Sequence, residues 1–204
     1  LEFRRVLFRS LRPDSGTVSK LNAKELAYLP QGQVVYWPVS VRRVVALGRI
    51  PYLMPWQELS EEDDRHIEQV MQNADIRHLA DRSVDHLAGG ERSLVLLARA
   101  LATDPKVILA DEPVQGLDPA HALQVMELLS RFVSTERGVI VVLHDLTLAA
   151  RFCHRLILLH QGKIISKGSP EEVLTAENLK QTYGIKAKYS ERKDEFYIVP
   201  WEKA

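Results

Sequence analysis

The residues whose chemistry is most evident are Asp111 and Glu112, which follow the apolar run "VILA" at 107–110. Adjacent carboxylates after a buried strand invite a magnesium-bound phosphate. Mg2+ takes hard oxygen ligands and shares them with phosphate, and open α/β sheets place ligands at the carboxyl ends of their strands. Four further features stand in chain order around this pair. "YLPQ" at 28–31 ends an apolar segment with Gln31, and "LAGGERSLVLLARAL" at 87–101 sets Gly89 and Gly90 ahead of a helix. "GLD" at 116–118 ends in Asp118, and "VIVVLHD" at 139–145 ends a strand with His144. Bare N–H groups at the start of the helix near Glu91, with the positive end of its dipole, suit an anion. Taken singly, each feature also has an ordinary explanation as a turn, a cap or a solvated loop residue.

Strands and helices must alternate to hold these groups, which points to a layered α/β domain. "KVILA" (106–110), "GVIVVL" (138–143) and "RLILLHQGKIISKG" (155–168) are the strand candidates. The last turns at Gln161-Gly162, since glycine supplies the positive φ that a tight hairpin needs. Between the first two, apolar residues at 122, 125, 126, 129, 132 and 133 give a helix with one buried face. A second helix starts at Asp145, whose carboxylate can cap free N–H groups. "SVRRVVALGRIPYLMPW" and "SEEDDRHIEQVMQNADIRHLAD" read as helices interrupted at Gly48 to Pro55, the second opening on a Ser60/Asp63 capping box with Ile67, Val70, Met71 and Ala74 as its apolar stripe. No strand is expected between 40 and 105, so a helical subdomain at about 32–105 interrupts the α/β domain. Ser169 caps a helix at "SPEEVL", and the last 17 residues read as a terminal strand or hairpin.

Bulk properties narrow the partners. The 204 residues carry 27 Lys plus Arg and 27 Asp plus Glu, so the formal charge is zero and gives no general attraction to nucleic acid. The single cysteine, Cys153, excludes an internal disulfide and sits in a helical context as a small core residue. No apolar run approaches the ~20 residues of a membrane helix, so membrane association would go through a partner.

The five features in this order resemble the nucleotide-binding subunit of ABC transporters, with Gln31 in the Q-loop, "GGE" as signature motif, "VILADE" as Walker B, "GLD" as D-loop and His144 as H-loop. The resemblance runs from about Leu11 to the C-terminus and implies ATP and Mg2+ as ligands. It implies that Asp111 reaches Mg2+ through water, that Glu112 orients the attacking water, and that His144 senses the γ-phosphate. Gln31 would join the magnesium and water shell. Ala88, Gly89, Gly90 and Glu91 would face the nucleotide of a second subunit, with Asp118 at the same interface. "VALGRIPY" at 45–52 is similar to importers for iron-siderophore, haem and cobalamin, with zinc or manganese importers as alternatives. The implied partners are a second ATPase subunit, a membrane permease dimer and, indirectly, a periplasmic solute-binding protein, at the cytoplasmic face of a bacterial inner membrane. The rival readings are a degenerate subunit unable to bind ATP alone and a soluble non-transport ABC ATPase. Against the latter stand the lack of a second cassette, of a long heptad insertion and of a basic surplus in the sequence.

The sequence departs from the family pattern in four places. Ala88 stands where the family carries serine, which removes a hydrogen bond to a charged phosphate worth roughly 1.5–3 kcal/mol. Ser93-Leu94 and Val114-Gln115 replace the usual polar residues. The fourth is the phosphate loop: no G-x-x-x-x-G-K-[S/T] run occurs in the 204 residues. "LEFRRVLFRS" at 1–10 reads as a foreign segment joined to an ABC ATPase domain (11–204) that lacks its first strands and Walker A. The stretch from Trp37 to Trp56 is the expected permease-docking surface, whereas Arg42 and Arg43 taken singly read as an ordinary solvated helix face.

Overall fold

The computed structural model describes residues 15, 22, 24–32, 38–192 and 195–204. The chain divides into two compact units, one made of residues 18–142 and the other containing 143–204.

In the first unit, β1 (Leu26–Leu29), β2 (Val107–Asp111) and β3 (Gly138–Val142) form a parallel sheet in the order β1-β2-β3. Ile108 and Ala110 of the central strand are fully buried, which matches a continuous apolar run covered on both faces. The expected strands at 106–110 and 138–143 are thus observed. So is the absence of a strand from 40 to 105 among the described residues, where an isolated bridge joins Ser40 and Ser83.

That stretch holds α1 (Val41–Ala46), a 3-10 helix (Leu47–Tyr52), α2 (Glu61–Asn73) and α3 (Gly89–Ala102). Ile67, Val70, Met71 and Ala74 are buried as their spacing predicts, and Ser60 and Asp63 form the expected capping box. The α-helix breaks next to the expected interruption at Gly48, ending at Ala46, and the chain goes on as a 3-10 helix through Gly48 and Pro51. Gly48 is required for close approach, because a Cβ there would lie 2.3 Å from the Arg99 carbonyl oxygen and 2.8 Å from Ala102 Cβ of α3. The next residues complete the attachment. Arg49 donates to the Ala102 carbonyl (3.0 Å) and the Tyr52 hydroxyl to the Thr103 carbonyl (2.9 Å), satisfying two of the carbonyls that a helix end leaves unpaired. Arg49 Nε also meets Asp63 at 2.7 Å, and its guanidinium lies over the Tyr52 ring at 4.1 Å. "GRIPY" is thereby a packing device that fastens α2 and the 3-10 helix to the end of α3.

α4 (Pro119–Phe132) buries Ala122, Val125, Met126, Leu128 and Leu129. Its expected stripe is corrected at Val133, which is exposed because the helix ends at Phe132 and leaves Val133 as the C-cap.

The second unit contains α5 (Leu146–Phe152), the hairpin β4 (Leu156–His160) and β5 (Lys163–Gly168), α6 (Pro170–Val173), α7 (Ala176–Tyr183), and the hairpin β6 (Ile185–Arg192) and β7 (Glu195–Lys203). Gln161 (φ 49°) and Gly162 (φ 78°) turn the first hairpin with two left-handed residues, as a tight two-residue loop demands. Asp145 caps α5 by accepting from the Leu148 N–H at 2.9 Å. Leu146, Ala150, Leu174, Leu179 and Ile198 are the core of this unit. Cys153 lies just past α5 as its C-cap, and burial pushes its thiol up.

Candidate functional site

The loops that leave β1 and β2 carry the first cluster. Gln31 stands two residues past β1, and its side-chain N–H group donates to Glu112 Oε2 (3.0 Å) and Gln115 Oε1 (2.6 Å). Parallel register aligns Leu29 with Ala110 and so delivers Gln31 beside the pair that ends β2. Glu112 is 8% exposed and sits in the left-handed region at φ 50°. Its N–H donates to the Val142 carbonyl (3.1 Å), extending the β2–β3 ladder by one residue, and its carbonyl accepts from the Gln115 N–H (3.1 Å). The strand end and the tight turn together force the positive φ. A glutamate there costs of order 1–3 kcal/mol of backbone strain, a cost that concentrates at functional sites. Gln115 was noted in the sequence only as a departure; the structure makes it the second partner of Gln31.

The second cluster joins α3 to the loop before α4. Ala88 is the N-cap of α3, and Glu91 reaches back to accept the Ala88 N–H at 2.9 Å. This is half of a capping box, because the alanine methyl cannot accept the reciprocal N–H. Gly89 is exposed and Gly90 buried. Ser93 donates back to the Gly89 carbonyl (3.1 Å), while Leu94 is buried in the core, so neither departure reaches outward for a polar partner. Asp118 is the N-cap of α4, accepting from the N–H groups of Ala120 (3.0 Å) and His121 (3.2 Å). Its other oxygen meets His121 Nδ1 at 2.5 Å. That imidazole, first among the causes, holds the Asp118 carboxyl below the usual carboxylate range.

Ala88→Ser should therefore stabilise the chain by about 1 kcal/mol, since the hydroxyl completes the capping box already half built by Glu91. Thermal melting of the two proteins checks it. An unchanged or lower midpoint would show that the Glu91 N–H is already satisfied.

The structure thus brings Gln31, Glu112 and Gln115 together in the first unit, with Asp111 ending β2. Gly90 and Asp118 are joined there through His121. His144, exposed and one residue ahead of the α5 cap, belongs to the second unit. The 3-10 helix and the loop after it leave Leu47, Ile50, Met54 and Trp56 exposed, Trp56 completely. Arg42, expected on the docking surface, is held by Glu68 (2.8 Å) and Asp64 (3.2 Å) of α2. Asp64 and Glu68 stand one helical turn apart on α2, so both reach the same half-exposed guanidinium. Trp37 and residues 1–14 lie outside the described residues. None of the helices among the described residues is long and apolar enough to cross a membrane.

Known proteins carry the same pattern. The model of the ABC transporter family matches residues 3–115, starting ahead of Leu11. The hemin import ATP-binding protein HmuV of Bordetella avium is 38% identical over 187 residues, covering 86% of this chain and 69% of HmuV. The ferric enterobactin transport ATP-binding protein FepC of Escherichia coli is 38% identical over 170 residues, covering 82% of this chain and 62% of FepC. A solved structure of a metal-chelate type ABC transporter in an inward-facing conformation superposes with a TM-score of 0.87 at 26% identity, over 99% of this chain and 81% of that one. Ordered motifs, fold and relatives agree: the chain belongs to the ABC transporter family of ATP-binding proteins.

Proposed function

We propose that this chain is the ATP-hydrolysing subunit of an importer for iron-siderophore or haem. It would act as a pair of subunits beneath a membrane permease, at the cytoplasmic face of a bacterial inner membrane. The observation that carries this reading is the buried, backbone-strained Glu112 held by Gln31 at the carboxyl ends of β1 and β2. The relatives' names supply the solutes, haem and ferric enterobactin. Cobalamin rests on "VALGRIPY" alone, and the periplasmic binding protein on the resemblance alone.

The residues suit the group that this chemistry needs. Asp111 and the Gln31 amide oxygen are hard oxygen donors of the kind Mg2+ prefers. Bound there, Mg2+ would neutralise charge on the phosphates. Glu112 accepts a proton-bearing water and orients it, and Gln31 fixes the rotamer of that carboxylate through the bond now observed. Gly89 and Gly90 offer bare N–H groups to the phosphate bound by the partner subunit.

The phosphate loop gives the direct test. Because the 204 residues contain no G-x-x-x-x-G-K-[S/T] run, the chain as it stands should show no micromolar, magnesium-dependent ATP affinity by titration calorimetry. Joining a phosphate-loop segment ahead of Leu11 should create it. Tight binding by the unaltered chain would overturn the reading of residues 1–10, and no binding by the extended chain would overturn the proposed function.

The exposed Leu47, Ile50, Met54 and Trp56 are the proposed contact with the permease. In the chain extended with a phosphate loop, replacing Met54 and Trp56 by Ser should lower transport by a reconstituted complex at least several-fold and leave basal ATP hydrolysis unchanged. Equal transport would remove this surface from the interface.

A further inference from the structure

We propose that His121 is a positioning residue that locks the Gly-Leu-Asp loop to the first turn of α3, so that Asp118 and Gly90 act as one body. The inference rests on the proposed function for its consequence, though not for its geometry.

Two contacts define the lock. His121 Nδ1 meets Asp118 Oδ2 at 2.5 Å, while Asp118 Oδ1 is engaged by the Ala120 and His121 N–H groups. Both carboxylate oxygens are therefore committed, one to the α4 cap and one to the imidazole. On its other side the ring lies against Gly90. A Cβ built there would fall 2.2 Å from His121 Cγ, 2.4 Å from Cδ2 and 2.6 Å from Nδ1. Contacts that short never occur, so the ring and a side chain at 90 exclude each other. Gly90 is therefore constrained by packing as well as by any anion it binds, because the imidazole fills the space a side chain would need.

The consequence follows from where these groups act. Gly89 and Gly90 are proposed to face the nucleotide of a second subunit, and Asp118 to lie at the same interface. A loop and a helix start that moved independently would have to be ordered together each time two subunits close. With His121 between them, that ordering exists before closure, which is how preorganisation strengthens association. An i,i+3 cap contact alone would stabilise α4 and leave the Gly90 side indifferent.

A double-mutant cycle separates the two. Gly90→Ala should lower the melting temperature of the 204-residue chain by roughly 3–10 °C, as overpacking of a filled site does. In a His121→Ala background the same substitution should cost little, since the colliding ring is gone. Equal costs in both backgrounds, or loss of folding in both, would overturn the lock. The reading of function enters only in the second arm. In the chain extended with a phosphate loop, His121→Ala should raise the ATP concentration for half-maximal dimerisation about 5–10-fold. His121→Asn, which places an N–H donor near the Nδ1 position, should restore it to within about twofold. No change in His121→Ala, or an asparagine variant as weak as alanine, would sink the positioning role. If the extended parent chain itself fails to dimerise with ATP, the proposed function falls while the thermal cycle still decides the lock.

Discussion

In a chain extended with a phosphate loop, Glu112→Gln is expected to lower ATP turnover by about 10²–10⁴-fold, the range that a positioned general base contributes. The substitution keeps the size of the side chain and its ability to accept from Gln31 Nε2, now 3.0 Å away. It also keeps a residue that must sit at φ 50°, so folding should be little affected. What is lost is the negative charge that draws a proton from water. ATP-driven pairing of two chains should survive or strengthen, because trapped nucleotide is no longer consumed. Steady-state turnover and light scattering on the same samples decide the matter. Turnover within a few-fold of the parent would take Glu112 out of the catalytic role, and loss of both activities would show that it serves the fold.

Arg49→Met is expected to cost about 3 kcal/mol of unfolding free energy, the low end for removing one partner of a buried pair. Arg49 and Asp63 side chains are 13% and 9% exposed, so little water can replace the lost partner. The guanidinium also holds the Ala102 carbonyl at the end of α3 and covers Tyr52. Urea unfolding should show the midpoint shift, and a change below about 1 kcal/mol would place the pair with screened surface contacts. A pH dependence accompanies it. Hydrogen bonds from Ser60 and then from Arg49 hold the Asp63 carboxyl down at about 2, against an ordinary value of 3.8. The folded chain therefore binds this proton less readily than the unfolded one. The stabilisation, about 2 kcal/mol, is complete above about pH 5, shrinks as pH falls below the ordinary value of 3.8 and is lost as pH falls through about 2. In Arg49→Met part of that acid sensitivity should disappear.

Much of the site was legible because its signals are local. Asp111 and Glu112 follow an apolar run, Asp145 and Ser169 precede their helices, and Gln161-Gly162 divides two apolar stretches. In each case the backbone geometry is fixed by residues a few positions apart, and propensity and capping suffice to read it. α7 went unread because its polar sequence, "AENLKQTY", carries only one fully buried residue, Leu179. The helix is held by the core of its unit instead of by an evident stripe.

The sequence by itself determined the order of the nucleotide-site motifs, the alternation of strand and helix around them, and the chemistry of each side chain. Tertiary structure decided which of those side chains meet. Gln115 looked like a departure before "GLD", yet it stands 84 positions from the Gln31 it contacts. "GRIPY" looked like an interruption, yet Arg49 reaches a carbonyl 53 positions away. His121 was one more polar residue on α4 until the packing of α3 placed its ring where a side chain at Gly90 would stand. The physical reason is the same in all three. A capping or turn preference is written within one turn of chain, whereas a contact between distant segments depends on how the elements that carry them pack, and no single stretch of sequence contains that.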